Sequence, residues 1–96
     1  MGKIYIGQTA LRIQLTANID INNADAFIKY QKPDGTRGEW VASVYDADKG
    51  IIYYDMQATT DLDQEGDWIF WTYIEFGNGK VAAGEPVTIY VYPEGD

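Results

Sequence analysis

Apolar and polar residues alternate with a period of two along most of this chain, which is the pattern of half-buried strands. Residues 3–6 read as a short first strand, interrupted by Gly7-Gln8-Thr9. Residues 10–16 resume it, with Leu11, Ile13 and Leu15 on one face and Arg12, Gln14 and Thr16 on the other. A polar loop over 18–23 anchors Ile19 and Ile21, and a further strand follows over 24–32 with Ala24, Ala26, Ile28 and Tyr30 on one face. Pro33-Asp34-Gly35 predicts a hairpin: proline presets φ, aspartate bonds its own backbone and glycine takes positive φ. The second arm, 37–45, sets Trp40, Ala42 and Val44 against Val41, Ser43 and Tyr45.

Asp46 to Gly50 predicts another tight turn, then a β-branched and aromatic run over 51–56 and a polar connection over 57–67. The segment 67–76 is apolar on both faces at its start, as a central strand is. Asn78-Gly79 marks a tight hairpin. The return strand from Lys80 is broken by Gly84-Glu85-Pro86, read as a bulge or a change of sheet, and 87–92 closes the chain with Val87, Ile89 and Val91 inward. Seven or eight antiparallel strands at this spacing predict an all-β, immunoglobulin-like β-sandwich, one domain over residues 1–96.

Composition narrows the chemistry. The chain has no Cys and no His, so it has no disulfide, thiol nucleophile, imidazole base or thiolate metal site. Fifteen acidic residues against seven basic ones give a net charge of −8, which disfavours nucleic acid. Seven of the acids fall between residues 46 and 67, either as a solvated rim or as a docking surface for a basic partner. No apolar stretch approaches the ~18 residues of a membrane span, and Lys3-Ile4-Tyr5-Ile6-Gly7 is too short and broken for a signal-peptide core. The missing cysteines fit cytosolic synthesis.

Two resemblances, one local and one along the whole chain, bear on the fold. Glu65-Gly66-Asp67-Trp68-Ile69-Phe70 resembles the approach to strand F of immunoglobulin domains, with Trp68 as the corner aromatic. Phe70 then stands where antibody domains have a cysteine, and Ala26 or Ile28 on strand B becomes its apolar partner. The whole chain resembles immunoglobulin-like domains of tailed-phage structural proteins, in particular the N-terminal domain of baseplate upper proteins. The matching segments are Asn23 to Tyr30 as that family's second strand, Lys32-Pro33-Asp34-Gly35-Thr36 as its hairpin, Asp46 to Tyr54 as its next turn and strand, and Leu62 to Trp71 as its approach to strand F. The resemblance implies a virion structural or accessory protein made in the host bacterial cytoplasm. It implies contacts with capsid, tail or baseplate proteins and homo-oligomerisation in the assembly. A carbohydrate-binding or adhesion module displayed on a particle is the alternative.

No catalytic, cofactor or metal site is expected. Asp46-x-Asp48-x-Gly50 resembles part of a calcium loop, but Gln57 stands where the bidentate glutamate belongs, so a plain turn is expected. Asp61, Asp63, Glu65 and Asp67 alternate and could converge on an ion. Paired carboxylates could hydrolyse glycosides, but so short a chain does not build a deep cleft as well as a core. The aromatics suggest an interface. Trp68 and Phe70 read as core, whereas Trp71 and Tyr73 lie on the opposite face of their strand, and Tyr90 and Tyr92 lie opposite Val87, Ile89 and Val91. If the last strands pair in the usual order, Trp71, Tyr73, Tyr90 and Tyr92 make one outward patch for self-association or docking.

Overall fold

The computed structural model describes residues 3–95; Met1, Gly2 and Asp96, which the expected span 1–96 includes, lie outside the described residues. Nine strands run through these residues: β1 (Ile4–Tyr5), β2 (Arg12–Thr16), β3 (Ala24–Gln31), β4 (Arg37–Val41), β5 (Ser43–Asp46), β6 (Ile51–Asp55), β7 (Gly66–Phe76), β8 (Val81–Ala83) and β9 (Val87–Tyr92). They form two sheets. The larger has the order β1-β9-β7-β3-β4, with β8 added to β7, and the smaller has the order β2-β6-β5. The fold is the expected all-β sandwich, with one departure in direction: β1 pairs β9 in parallel, Ile4 opposite Val91.

The turns form as their residues require. Gly35 takes φ 90 between β3 and β4, while the Asp34 carboxylate accepts the Thr36 N–H at 2.9 Å. Gly79 takes φ 84 between β7 and β8, and the Asn78 side chain accepts the Lys80 N–H at 3.0 Å. The expected arm over 37–45 divides at Ala42: β4 stays in the larger sheet, and β5 belongs to the smaller one. The break at Gly84-Glu85-Pro86 does not change sheet. β9 lies along Gly66–Phe70 of β7 and β8 along Tyr73–Glu75, on the same edge. A Cβ on Gly84 would collide with Thr72 Oγ1, so the bend is tied to a residue without a side chain.

The assignment of strand B needs correction. β3 is the hydrogen-bonded neighbour of β7, with Tyr30 opposite Phe70, so Ala26 and Ile28 do not face Phe70 from the other sheet. β2 and β6 occupy the places of strands B and E, and β3, β7 and β9 those of C, F and G. The interruption at Gly7-Gln8-Thr9 is the reason. It is a crossing from the larger sheet to the smaller one, not a break within one strand, and this shifts every later strand by one place.

The core fills the space between the sheets. Ile28, Trp68, Phe70, Ile74 and Val91 of the larger sheet meet Ile13 and Ile52 of the smaller one, and Ile21 and Leu62 are buried from the connecting loops. Of the two isoleucines expected to anchor the 18–23 loop, Ile21 does so, and Ile19 is exposed. Five rings pack together: Trp40 stacks on Tyr54 at 4.6 Å and touches Tyr30 and Phe70, and Trp68 lies against Phe70 and Tyr30. Trp68 Nε1 donates to the Gln64 carbonyl at 2.9 Å, so the indole acts as the corner aromatic at the start of β7.

Candidate functional site

The alternation of β7 sorts its side chains. Trp68, Phe70, Thr72 and Ile74 are buried inward, which leaves Asp67, Ile69, Trp71, Tyr73 and Glu75 on the outer face. The strands that flank β7 set what lies beside them. Trp71 is level with Lys29 of β3 and, beyond it, Glu39 of β4. Tyr73 is level with Phe27, Val41 and Ala83, and Ile69 with Gln31, Arg37 and Thr88. Diagonal contacts join the rows. Lys29 Nζ lies 3.6 Å from the Tyr73 ring centre, and the Arg37 guanidinium lies 5.5 Å from the Trp71 ring. Trp71 is half-buried between two open depressions, one of about 230 Å³ shared with Lys29, Arg37 and Glu39, the other of about 420 Å³ shared with Arg37, Ile69 and Pro86.

The four aromatics singled out from the sequence share this outer face but form two groups. Tyr90 stands opposite Asp67, four residues along β7 from Trp71, a separation of about 13 Å. Tyr90 packs edge-on against Tyr92 at 4.7 Å, and Tyr92 also meets Tyr5 and the Lys3 ammonium. The row of Gln31, Ile69 and Thr88 separates this tyrosine group from Trp71 and Tyr73. Phe27, Lys29 and Arg37 belong to the Trp71 group and were not singled out. The inward run of Ala26, Ile28 and Tyr30 already places Phe27 and Lys29 outward by alternation, but which strand lies beside β7 is a matter of topology.

The acidic segment does not converge. The Asp61 carboxylate accepts the N–H groups of Gln57 and Ala58 at 2.8 and 3.2 Å and the Tyr54 hydroxyl at 3.2 Å, so it closes a turn. Asp63 pairs with Lys32 at 3.0 Å, and Asp67 lies on the outer face of β7. Asp46 accepts the Lys49 N–H at 3.2 Å, and Asp48 accepts the Asn22 amide at 2.8 Å, as in a plain turn tied to a neighbouring loop. Among the described residues no three acidic side chains gather as a metal site would need. Burial raises the Tyr54 phenol above its usual range, and the Asp61 carboxylate beside it acts in the same direction. On the outside of the smaller sheet, the hydrogen bond from Arg12 holds Asp55 below the ordinary 3.8, across a forked contact of 2.7 and 3.1 Å.

The sequence matches no protein-family model and no curated protein. Among solved structures, the chain is similar to CopC from Methylosinus trichosporium OB3b at 12% identity and a TM-score of 0.56, covering 100% of this chain and 89% of that one. At this identity the likeness concerns the fold. It overturns the resemblance to tailed-phage domains and the virion role drawn from it, and the particle-borne adhesion module that stood as the alternative to that role goes too. The physical reason lies in the segments that carried the resemblance. Lys32 to Thr36 and Asp46 to Gly50 are turns closed by local hydrogen bonds from Thr36 N–H to Asp34 and from Lys49 N–H to Asp46, a chemistry common to turns in general, and Asn23 to Tyr30 lies mostly in the third strand, not the second. What the chain shares with CopC is the sandwich architecture.

Proposed function

We propose that the chain is a non-catalytic binding module whose larger sheet joins it to a second copy through its outer face. The observation that carries this reading is the Trp71 group: an indole and a phenol held outward on the central strand, each contacted by a cation. Tryptophan, tyrosine and arginine are the residue types that most often dominate binding at interfaces. The face also carries both signs of charge. Lys29 and Arg37 lie toward its middle with Glu39 beside Lys29, while Asp25 and Glu75 stand opposite one another at the end of β7, so a two-fold-related copy can set cations against carboxylates. Each copy carries a net charge of −8, so long-range repulsion opposes the approach, and added salt strengthens the association.

Tryptophan fluorescence tests this directly, because Trp40 and Trp68 are buried and Trp71 is the indole on the outer face. Acrylamide should quench emission strongly in dilute protein and less as concentration rises from micromolar to millimolar. Quenching that stays constant over that range refutes self-association through this face.

A further inference from the structure

Two hairpin turns of the larger sheet are built alike, and one residue sets them apart. In the β3–β4 turn, Asp34 accepts the Thr36 N–H at 2.9 Å, Gly35 N–H donates to the Lys32 carbonyl at 2.8 Å, and Gly35 takes φ 90. In the β7–β8 turn, Asn78 accepts the Lys80 N–H at 3.0 Å, Gly79 N–H donates to the Phe76 carbonyl at 3.0 Å, and Gly79 takes φ 84. The first turn has a carboxylate where the second has a carboxamide. Residues 77–80 are all exposed, and no atom outside its chain neighbours lies within 4 Å of where a Cβ of Gly79 would stand.

We propose that Asn78 is a site of spontaneous deamidation, at which the backbone of the turn converts the carboxamide to a carboxylate. The Gly79 nitrogen gives up its proton to a solvent base and bonds to Cγ of Asn78. The bond from Cγ to Nδ2 breaks, and ammonia leaves with a proton from water. Water then opens the resulting cyclic imide. Cleavage between the nitrogen and Cγ gives aspartate. Cleavage between the nitrogen and the α-carbonyl carbon gives isoaspartate, whose chain runs through the former side chain. One carboxamide and one water become one carboxylic acid and one ammonia.

The turn favours this reaction at Asn78. Lys80 N–H already sits on Oδ1, where negative charge develops as the nitrogen adds. Glycine presents no side chain to shield its nitrogen. The bond from Gly79 to Phe76 restrains the nucleophile, but it closes an exposed turn beside the three-residue β8, where local opening costs little. The other three asparagines lack this setting. Asn18 is followed by Ile19 and Asn23 by Ala24, and the Asn22 amide donates to the carboxylates of Asp20 and Asp48 at 2.7 and 2.8 Å. Asp34 has no ammonia to lose, and the hydrogen bond from Thr36 keeps its carboxyl ionised and so a poor electrophile. Its turn demonstrates that aspartate fits this geometry, so the aspartate product keeps the hairpin, whereas isoaspartate inserts a methylene into the backbone and loosens β8. Either product adds one negative charge to a chain already at −8, close to the opposed Asp25 and Glu75. The reaction does not involve the Trp71 face, so the two readings stand or fall separately.

The test is incubation of the folded protein at neutral and at mildly alkaline pH, followed by proteolytic digestion and mass spectrometry. Asn78 should convert at least several-fold faster than Asn18, Asn22 or Asn23, faster at the higher pH, and into two products of equal mass that elute apart. Asn78→Asp should release no ammonia and keep the wild-type circular dichroism spectrum. Conversion of another asparagine as fast as Asn78, or ammonia release that persists in Asn78→Asp, overturns the proposal. So does an Asn78 that stays a carboxamide in the folded protein while it converts in the same protein held in denaturant, because the turn then protects it.

Discussion

The two faces of β7 carry similar residues to opposite ends. Inward, Trp68 and Phe70 are fully buried and belong to a five-ring cluster whose members fix one another. Outward, Trp71 and Tyr73 have cations for neighbours, and open depressions lie beside Trp71. Ring content alone does not separate core from surface; position in the pleat and the strands on either side do. The inner rings account for stability and the outer ones are available for association, so substitutions on the two faces should separate the two properties.

The largest effect is expected inside. Phe70→Ala should cost about 3–5 kcal/mol, because the rings around the cavity are held by their own contacts and collapse poorly. Chemical denaturation measures it, and a cost near that of an exposed residue would show that the inner cluster is not the core. Next comes Gly38→Ala. Gly38 lies opposite Tyr30 in the β3–β4 ladder, and a Cβ there would collide with the Tyr30 hydroxyl end. The ring cannot retreat freely, since Trp40 and Trp68 flank it at 4.8 and 5.5 Å. A loss of about 1–3 kcal/mol is expected, with a change in near-ultraviolet circular dichroism from the displaced rings. On the outer face, Trp71→Ser with Tyr73→Ser should lower stability by only about 1–2 kcal/mol, through lost strand propensity and cation–π contacts.

The smallest effect is that of acid. The backbone hydrogen bond from Thr36 holds the Asp34 carboxyl below its ordinary 3.8, with Gln64 adding to it, and Asp55 is lowered by Arg12. Groups lowered in the folded state contribute stability above their unfolded value and lose it as pH falls through the folded one. Stability should therefore be level from neutral pH to about 4 and decline below it. Asp34→Asn should make that decline shallower in denaturation curves taken between pH 2 and 7; an unchanged slope would remove Asp34 from this account.

Much of the sandwich is legible in the residues. The turns at Pro33-Asp34-Gly35 and Asn78-Gly79 and the alternation in β2, β3 and β9 follow from local chemistry, which tertiary packing does not override here. The order of strands is not local. Gly7-Gln8-Thr9 reads the same whether a strand pauses or the chain crosses between sheets, and only the crossing makes β3 a neighbour of β7. Likewise, Ala42 has no turn signal, yet the chain changes sheet there. The outer face was legible in part. Trp71 and Tyr73 follow from the alternation of β7, whereas Arg37 beside Trp71 depends on which strand lies two places away. The separation of Tyr90 from Trp71 depends on the register of β9, which starts opposite Phe70 and runs back toward Gly66.

Sedimentation equilibrium on the wild type and the Trp71→Ser, Tyr73→Ser variant, at low and at high salt, tests the association most directly. The wild-type mass should rise above that of one 10.8 kDa chain with concentration, and more so at high salt, while the folded variant remains a single chain. A wild type that stays at one chain throughout, or a variant that associates as the wild type does, contradicts the assignment of the outer face.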